Sequence, residues 1–373
     1  MSSDVVSRVT TASYDAGNAF TGSPGAACTP QFEAQRHGAG PLRIAVVTDA
    51  WVPQTNGVVR TLLSLRDELE TLGHTVVMVT PQDFLTIPCP TYSEIKLALT
   101  TPGQVGRALD AIAPDAIHIV TEGPLGLAAR AHCRRRKLTF TTSFHTKFPD
   151  YIAARWGIPA GWTYAALRWF HSASAATMVA TESVRLELAA HGFDNLRSWT
   201  RGVDLQHFHP APKPATDWPR PIFLFVGRVA VEKNLAAFLD LDLPGTKIVV
   251  GDGPQRAELE RRYPQARFVG RHEGDALAAF YSLADVFVFP SRTDTFGLVL
   301  LEALASGVPI AAFPVSGPLD LVGNSGVGVL SEDLGAAALA ALAIDPEACR
   351  ARAAEFTWHN SAQQFLHNLH LIR

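Results

Sequence analysis

At 373 residues, with 47% hydrophobic and 18% charged positions, the chain exceeds the size at which one core usually suffices and has the composition of a packed, two-domain protein rather than a disordered one. A formal charge of −3 leaves no overall basic footprint, which excludes nucleic acid as a general partner. Cys28, Cys89, Cys133 and Cys349 are scattered, with neither a CxxC spacing nor a disulfide framework, and fit a reducing, cytoplasmic setting.

Residues 1–40 are rich in Ser, Thr, Ala and Gly and lack the apolar core of a signal peptide, so they are expected to be a disordered tail. No later stretch is long and apolar enough to span a bilayer, and any membrane contact is expected to be peripheral. Order begins with a strand, RIAVVTD, over 43–49; the loop AWVPQTNG then feeds a helix over 58–72. Leu62, Leu65, Leu69 and Leu72 keep helical spacing, Gly73 supplies the stop, and HTVVMVT over 74–80 is the second strand. This is one parallel βαβ unit of the doubly wound class, in which ligands collect outside the carboxyl ends of strands. Gly57 sits at such an end, either as a tight turn that needs glycine or as backbone approaching a donor diphosphate or an acceptor.

Strands follow at AIHIV (116–120), TFTTSF (139–144) and ATMVAT (176–181). Glu122, past the first of these, either caps the next helix or touches an acceptor. His145, in SFHTKFPDY, stands where ligands are met, although a lone histidine is more often a structural group. Lys147 and Asp150 beside it carry no assigned role. Arg134, Arg135, Arg136 and Lys137 close a helix, where positive charge is favoured by the dipole alone. Downstream, GWTYAALRWFHS places Trp162, Tyr164, Trp169 and Phe170 in one helical stretch with Arg155 and Arg168 nearby. Aromatics at helical spacing are usually core, yet a basic cluster beside an aromatic helix also suits a protein that draws a lipid acceptor from an anionic membrane.

HPAPKPATDWPRP, over 209–221, holds five prolines among thirteen residues and reads as an interdomain linker. The second half restarts with IFLFVG and then RVAVEKN, where Arg228 and Lys233 open the following helix and both can point at one anion. Asp240 and Asp242 superficially match a DxD metal motif but lie at the amino end of the strand KIVVG, opposite the ligand edge. The GxG of KIVVGDGP lacks the third small residue of a dinucleotide fingerprint. Last comes FPSRTDTFGLVLLEALASGVPI, over 289–310: a strand, a polar turn and a helix, with Asp294 and Glu302 separated by seven residues and Phe296, Gly297 and Leu298 where the helix begins. Backbone donors at a helix start, with two carboxylate acceptors nearby, suit a ligand carrying phosphates and hydroxyls, which describes a nucleotide sugar. A plain reading, with Asp294 capping the helix and Glu302 a solvated charge, weighs equally on the residues alone.

The stretch FPSRTDTFGLVLLEALASGVP resembles the signature of retaining glycosyltransferases of the GT-B fold, family four, an acid followed after seven residues by a glutamate. GRVAVEKN matches that family's GRxxxEKN, and TRGVDLQHFHP resembles its NGVD segment with Arg201 replacing the asparagine. The resemblance extends over nearly everything after residue 40. It implies an α/β GT-B architecture of two Rossmann-like doubly wound domains facing across a cleft: an acceptor domain over 41–210, a linker over 211–220, a nucleotide-sugar domain over 221–355, and a final helix within 356–373 that crosses back. By the same resemblance Glu302 binds the ribose, Arg228 and Lys233 the diphosphate and Asp294 the sugar; Gly57, Phe296, Gly297 and Leu298 line the donor, and His145 lies beside the sugar, giving His145 and Asp294 as the catalytic candidates.

Two fixed cations can stabilise the leaving nucleotide, so neither metal nor cofactor is expected. Asp294 stands where many relatives have glutamate, which leaves the sugar open between a hexose and a hexuronic acid of a UDP- or GDP-linked donor. Retention implies reaction on one face of the sugar, with the leaving phosphate assisting removal of the acceptor proton. FHTKFPDY together with the signature resembles bacterial enzymes that glycosylate diacylglycerol or related lipids. The expected acceptor is therefore a membrane lipid, with Glu122, Arg134, Arg135, Arg136, Lys137, Trp162 and Trp169 on the acceptor or membrane side. A soluble or polyisoprenoid-linked saccharide is the alternative acceptor; a nucleotide-sugar epimerase or a silent binder is disfavoured because Arg228, Lys233 and Glu302 are all intact.

Overall fold

Runs of four or five apolar residues without alternation are what a strand buried on both faces requires, and such strands belong to parallel sheets covered by helices. The computed structural model describes residues 40–54, 56–89, 92–145 and 160–372 and contains two sheets of this kind. Residues 1–39 of the expected tail and Lys147, Asp150 and Arg155 lie outside the described residues.

The first half runs β1 (Arg43–Val47), α1 (Gly57–Thr71), β2 (Thr75–Val79), β3 (Thr86–Cys89), β4 (Tyr92–Ala98), α2 (Pro102–Ile112), β5 (Ala116–Ile119), α3 (Pro124–Arg136), β6 (Thr141–Phe144), α4 (Ala160–His171), β7 (Ala176–Val179), α5 (Glu182–Ala190) and β8 (Leu196–Ser198). The second runs β9 (Ile222–Val226), α6 (Leu235–Leu239), β10 (Thr246–Val250), α7 (Arg256–Arg262), β11 (Arg267–Gly270), α8 (Gly274–Leu283), β12 (Val286–Phe289), α9 (Leu298–Ala305), β13 (Ile310–Ala312), α10 (Ser316–Leu321), β14 (Gly328–Leu330), α11 (Leu334–Ala341), α12 (Pro346–Ala353) and α13 (Trp358–Asn368).

The strand orders are β2-β1-β5-β6-β7-β8 and β11-β10-β9-β12-β13-β14, every pair parallel, which makes the two doubly wound domains that the resemblance implies. Alternate residues of a central strand feed opposite cores: Ile222, Leu224 and Val226 join one, Phe223 and Phe225 the other. Each sheet starts at an inner strand and is extended in both directions, so a crevice opens where the order reverses, between β1 and β5 and between β9 and β12. The antiparallel pair of β3 and β4 carries Pro88, which a two-stranded ribbon tolerates and an inner strand would not.

Between Pro210 and Pro221 the chain has neither helix nor strand. Lys213 and Arg220 are both fastened to Asp285, which also accepts the Ile222 amide at 2.7 Å. Upstream, Val203 and Phe208 already pack in a core of the second sheet. At the other end of the chain, α13 lies against α1, and its Ala362 and Phe365 share a core with Leu62, Leu65, Leu69 and Trp199. The Trp199 indole N–H donates to Ser361 Oγ at 3.1 Å, and the Asn368 amide donates to Ser198 O at 2.8 Å. Gly202 makes this return possible, since a Cβ there would sit 2.3 Å from the Trp358 backbone nitrogen. Phe365 is fully buried in that seam, so Phe365→Ala should lower stability by about 3–5 kcal/mol in urea unfolding.

Candidate active site

The crevice of the second sheet is built from the loops after β9 and β12. After β9 come Arg228, half-buried, and a 3₁₀ turn over Val231–Lys233; Asn234, in the left-handed region at φ 52°, ends the turn, and α6 begins only at Leu235. Arg228 and Lys233 therefore precede the helix instead of opening it. Asn234 Nδ2 donates to Pro290 O at 3.2 Å and Ser291 Oγ to Glu232 O at 3.3 Å, sewing this loop to the one after β12. Lys233 Nζ meets Asp294 Oδ1 at 2.5 Å, while Asp294 Oδ2 is buried with no hydrogen-bond partner among the described residues. The glycines of GDGP have a packing reason: a Cβ on Gly251 would fall 1.8 Å from Gly227 O, so glycine lets the loop after β10 lie against the loop after β9.

Neither plain reading of the two acids holds. Helix α9 starts from Gly297 at φ 87° with no side-chain cap, so Asp294 is not its cap. Glu302 is 3% exposed and is not a solvated charge. Tyr281 donates its hydroxyl to Oε2 at 2.8 Å, and Arg60, from α1 of the facing domain, meets Oε1 at 2.5 Å. Burial and the adjacent Glu302 hold the Tyr281 phenol well above its usual range, so it remains a donor. The Phe296 ring is packed in the core, which leaves only backbone for a ligand there, and Leu298 is half-buried.

On the facing side, Asn56 caps α1 by accepting the amides of Val58 and Val59, each at 3.0 Å. Gly57 is the first residue of that helix, and a Cβ on it would reach only to 4.0 Å from Leu298 Cδ1, so no turn geometry demands glycine. The turn that carries Asp294 is gripped from this domain: Thr295 Oγ1 donates to His145 O at 2.7 Å, and Thr181 Oγ1 donates to Thr295 O at 3.2 Å. Nearby, Asp320 of α10 accepts the Glu182 and Ser183 amides at the start of α5, at 3.1 and 3.2 Å.

His145 is thus placed beside Asp294, but its imidazole is not free to shuttle protons. Arg201 reaches Nδ1 at 3.3 Å, and Ser143 Oγ lies 2.8 Å from Nε2. A guanidinium only donates, so Nδ1 accepts and the proton sits on Nε2. Burial and the Arg201 charge together push the ring well below the usual histidine range, leaving it neutral. Arg201 is itself buried, donates to Trp199 O at 2.6 Å and lies over the Trp199 ring at 4.1 Å; burial pulls it down to about 9. Behind them His118 is fully buried between Thr141 Oγ1 at 2.9 Å and Ser143 Oγ at 3.1 Å. Glu122 neither caps α3 nor stands free: it meets His171 Nε2 at 3.1 Å, while Asp49 accepts the Leu125 amide at 2.9 Å at the start of that helix.

The aromatic stretch divides by helical phase. Tyr164 and Phe170 are core, whereas Trp162 and Trp169, seven residues apart on α4, are 77% and 54% exposed. Arg130 stacks on Trp169 at 3.8 Å, and Arg134, Arg135, Arg136 and Lys137 are exposed at the end of the same α3. Among the described residues no helix is long and apolar enough to cross a membrane. Asp240, at the amino edge of the second sheet, accepts the Tyr263 hydroxyl at 2.5 Å.

Two family models match this chain. Residues 55–207 match the family described as Glycosyltransferase Family 4, and residues 220–345 match Glycosyl transferases group 1. A GDP-mannose-dependent alpha-mannosyltransferase of Mycolicibacterium smegmatis is 32% identical over 320 residues, covering 78% of this chain and 84% of that protein. The chain is a family 4 glycosyltransferase. Another relative of this glycosyltransferase, the alpha-monoglucosyldiacylglycerol synthase of Streptococcus pneumoniae, is 27% identical and covers 88% of this chain and 85% of its own. The crystal structure of HepE from Anabaena in complex with UDP and glucose shares the fold at a TM-score of 0.66, with 14% identity and coverage of 87% and 98%. The enzyme is a hexosyltransferase using a nucleotide sugar. Four residues at the site, Arg60, Tyr281, Thr181 and Thr295, escaped the sequence reading; only Arg60 had a signal, standing one turn beyond Gly57 in a helix that starts at a strand end.

The buried histidines make stability pH-dependent. His118 is held at about 3 when folded, against 6.5 when unfolded, by burial first and then by the Arg201 and His171 charges. Below pH 6.5 the unfolded chain takes up a proton that the folded chain refuses, so stability present at neutral pH is lost as pH falls. Between pH 7 and 5 this group should remove about 2 kcal/mol, seen in urea unfolding as a drop for the wild type that is smaller by that amount in His118→Leu.

Proposed function

We propose that this family 4 enzyme transfers a hexose or hexuronic acid from a UDP- or GDP-sugar, with retention and without a metal ion, to a hydroxyl of a membrane lipid such as a diacylglycerol. The observation that carries the donor half is the convergence at one switch point of Glu302, the Lys233–Asp294 pair and the loop of Arg228. In this reading Glu302 accepts the ribose hydroxyls, Arg228 and Lys233 hold the diphosphate, and the unpartnered Oδ2 of Asp294 accepts a sugar hydroxyl. The bond from the anomeric carbon to the phosphate oxygen breaks, and the acceptor oxygen bonds on the same face. Its proton passes to the leaving phosphate, whose growing charge the two cations stabilise. A neutral His145 adds no positive charge beside the anomeric carbon, where positive charge develops. The metal-free reading is supported by those cations and by the position of Asp240 at the opposite edge of the sheet. In excess chelator, incubation with a panel of UDP- and GDP-sugars and a lipid extract should give a glycolipid by mass spectrometry; strict dependence on added magnesium or manganese overturns the two-cation account.

The lipid half is supported by the exposed Trp162 and Trp169, the latter stacked on Arg130 of the helix that ends in the Arg134 to Lys137 cluster, and by a relative named for a diacylglycerol product. Aromatic rings at the headgroup level and basic side chains over an anionic surface are complementary devices of reversible attachment. At about 1 kcal/mol for each basic residue, replacing Arg134, Arg135 and Arg136 by glutamine should weaken binding to anionic vesicles roughly a hundredfold at low salt, with nucleotide binding unchanged. Vesicle co-sedimentation reads this directly. A wild-type protein that ignores anionic vesicles takes a soluble saccharide as acceptor instead.

A further inference from the structure

The Glu302 carboxylate is held from both sides of the cleft. Its own domain contributes Tyr281, through a 2.8 Å hydrogen bond to Oε2, and the facing domain contributes Arg60, 2.5 Å from Oε1. A carboxylate has about four acceptor sites, so these two partners leave roughly one on each oxygen, matching the two hydroxyls of a cis-diol. Glu302 is 3% exposed, and a carboxylate so far from water that lost its ion-pair partner would be strongly disfavoured. A ribose therefore adds to the Arg60 contact rather than replacing it. Arg60 keeps about half of its side chain exposed and sits in the first turn of α1, whose start faces Leu298, so holding it costs the first domain little packing.

The geometry points to Arg60 as a positioning residue of the acceptor-side domain that completes the ribose site only when the cleft is closed, so that nucleotide binding and closure strengthen each other. This rests on Glu302 being the ribose ligand. Because the two domains supply opposite charges to one pair, opening the cleft separates them and leaves the carboxylate with Tyr281 alone. The coupling is reciprocal: whatever Arg60 adds to nucleotide affinity, the nucleotide adds to closure.

Calorimetric titration with GDP and UDP and small-angle X-ray scattering with and without nucleotide test this on Arg60→Met, Arg60→Lys and Glu302→Gln. Arg60→Met should bind nucleotide about tenfold more weakly, within the usual range of coupling between sites, and should lose the compaction that nucleotide produces in the wild type. Arg60→Lys, which retains the charge, should recover most of both. Because the nucleotide-free enzyme is open under this proposal, with the pair apart and Glu302 reached by water, the thermal midpoint without nucleotide should stay at the wild-type value, separating this role from a merely structural one. Tighter nucleotide binding by Arg60→Met would mean that Arg60 competes with the ribose and would overturn the proposal. So would wild-type affinity and compaction in Arg60→Met while Glu302→Gln is impaired. Unchanged nucleotide affinity in Glu302→Gln would instead remove the ribose assignment itself.

Discussion

Burying both faces of a parallel sheet leaves only its edges for chemistry, and the polar groups of this site follow from that constraint. Central strands such as Ile222–Val226 and Val286–Phe289 have no exposed residue to spare, so Arg228, Lys233 and Asp294 stand just past strand ends. Lys233 and Asp294 are separated by sixty residues of sequence, yet lie 2.5 Å apart because β9 and β12 are neighbours at the point where the strand order reverses. Their ion pair, with the hydrogen bonds of Asn234 and Ser291 to the neighbouring loop, joins two connections into one surface.

The second constraint is the grip of each domain on the other. Thr295 lies one residue from Asp294 and bonds the carbonyl of His145, while Thr181 bonds the carbonyl of Thr295. Asp294 is therefore positioned by the first domain as much as by its own. At the far end, α13 packs on α1, the same helix that presents Arg60 to Glu302. The seam that holds the end of the chain and the arginine that meets the buried carboxylate thus share one rigid element.

A buried polar layer supports the first domain's side of the cleft. His118, Ser143, His145 and Arg201 form a hydrogen-bonded chain behind the site, and Arg201 occupies the position where the resemblance leads one to expect asparagine. An amide there could be satisfied by backbone alone, whereas a guanidinium brings a charge that keeps the neighbouring imidazole neutral. In low dielectric such a network is rigid when satisfied, and it holds the neutral imidazole in one orientation.

The sequence by itself determined the architecture and marked the charged groups that gather at the crevice of the second sheet. Uninterrupted apolar strands separated by helical periods dictate parallel sheets, and GRVAVEKN and Asp294 follow the ends of β9 and β12, where such an arrangement leaves room for polar groups. What the tertiary structure decided is how those groups are charged and paired. The residues alone left Glu302 in LVLLEALA open between a ligand-binding carboxylate and a solvated charge, because helical periodicity cannot reveal that Tyr281 and Arg60 arrive from elsewhere. His145 looked available because the donation from Arg201 crosses fifty-six residues of sequence. Trp162 and Tyr164 look alike in the chain, yet one is exposed and the other buried, since two residues are about 200° apart on a helix and only packing against the sheet chooses the face. Local pattern encodes periods and strand ends; ion pairs and buried hydrogen bonds depend on which distant segments the fold brings to the same edge.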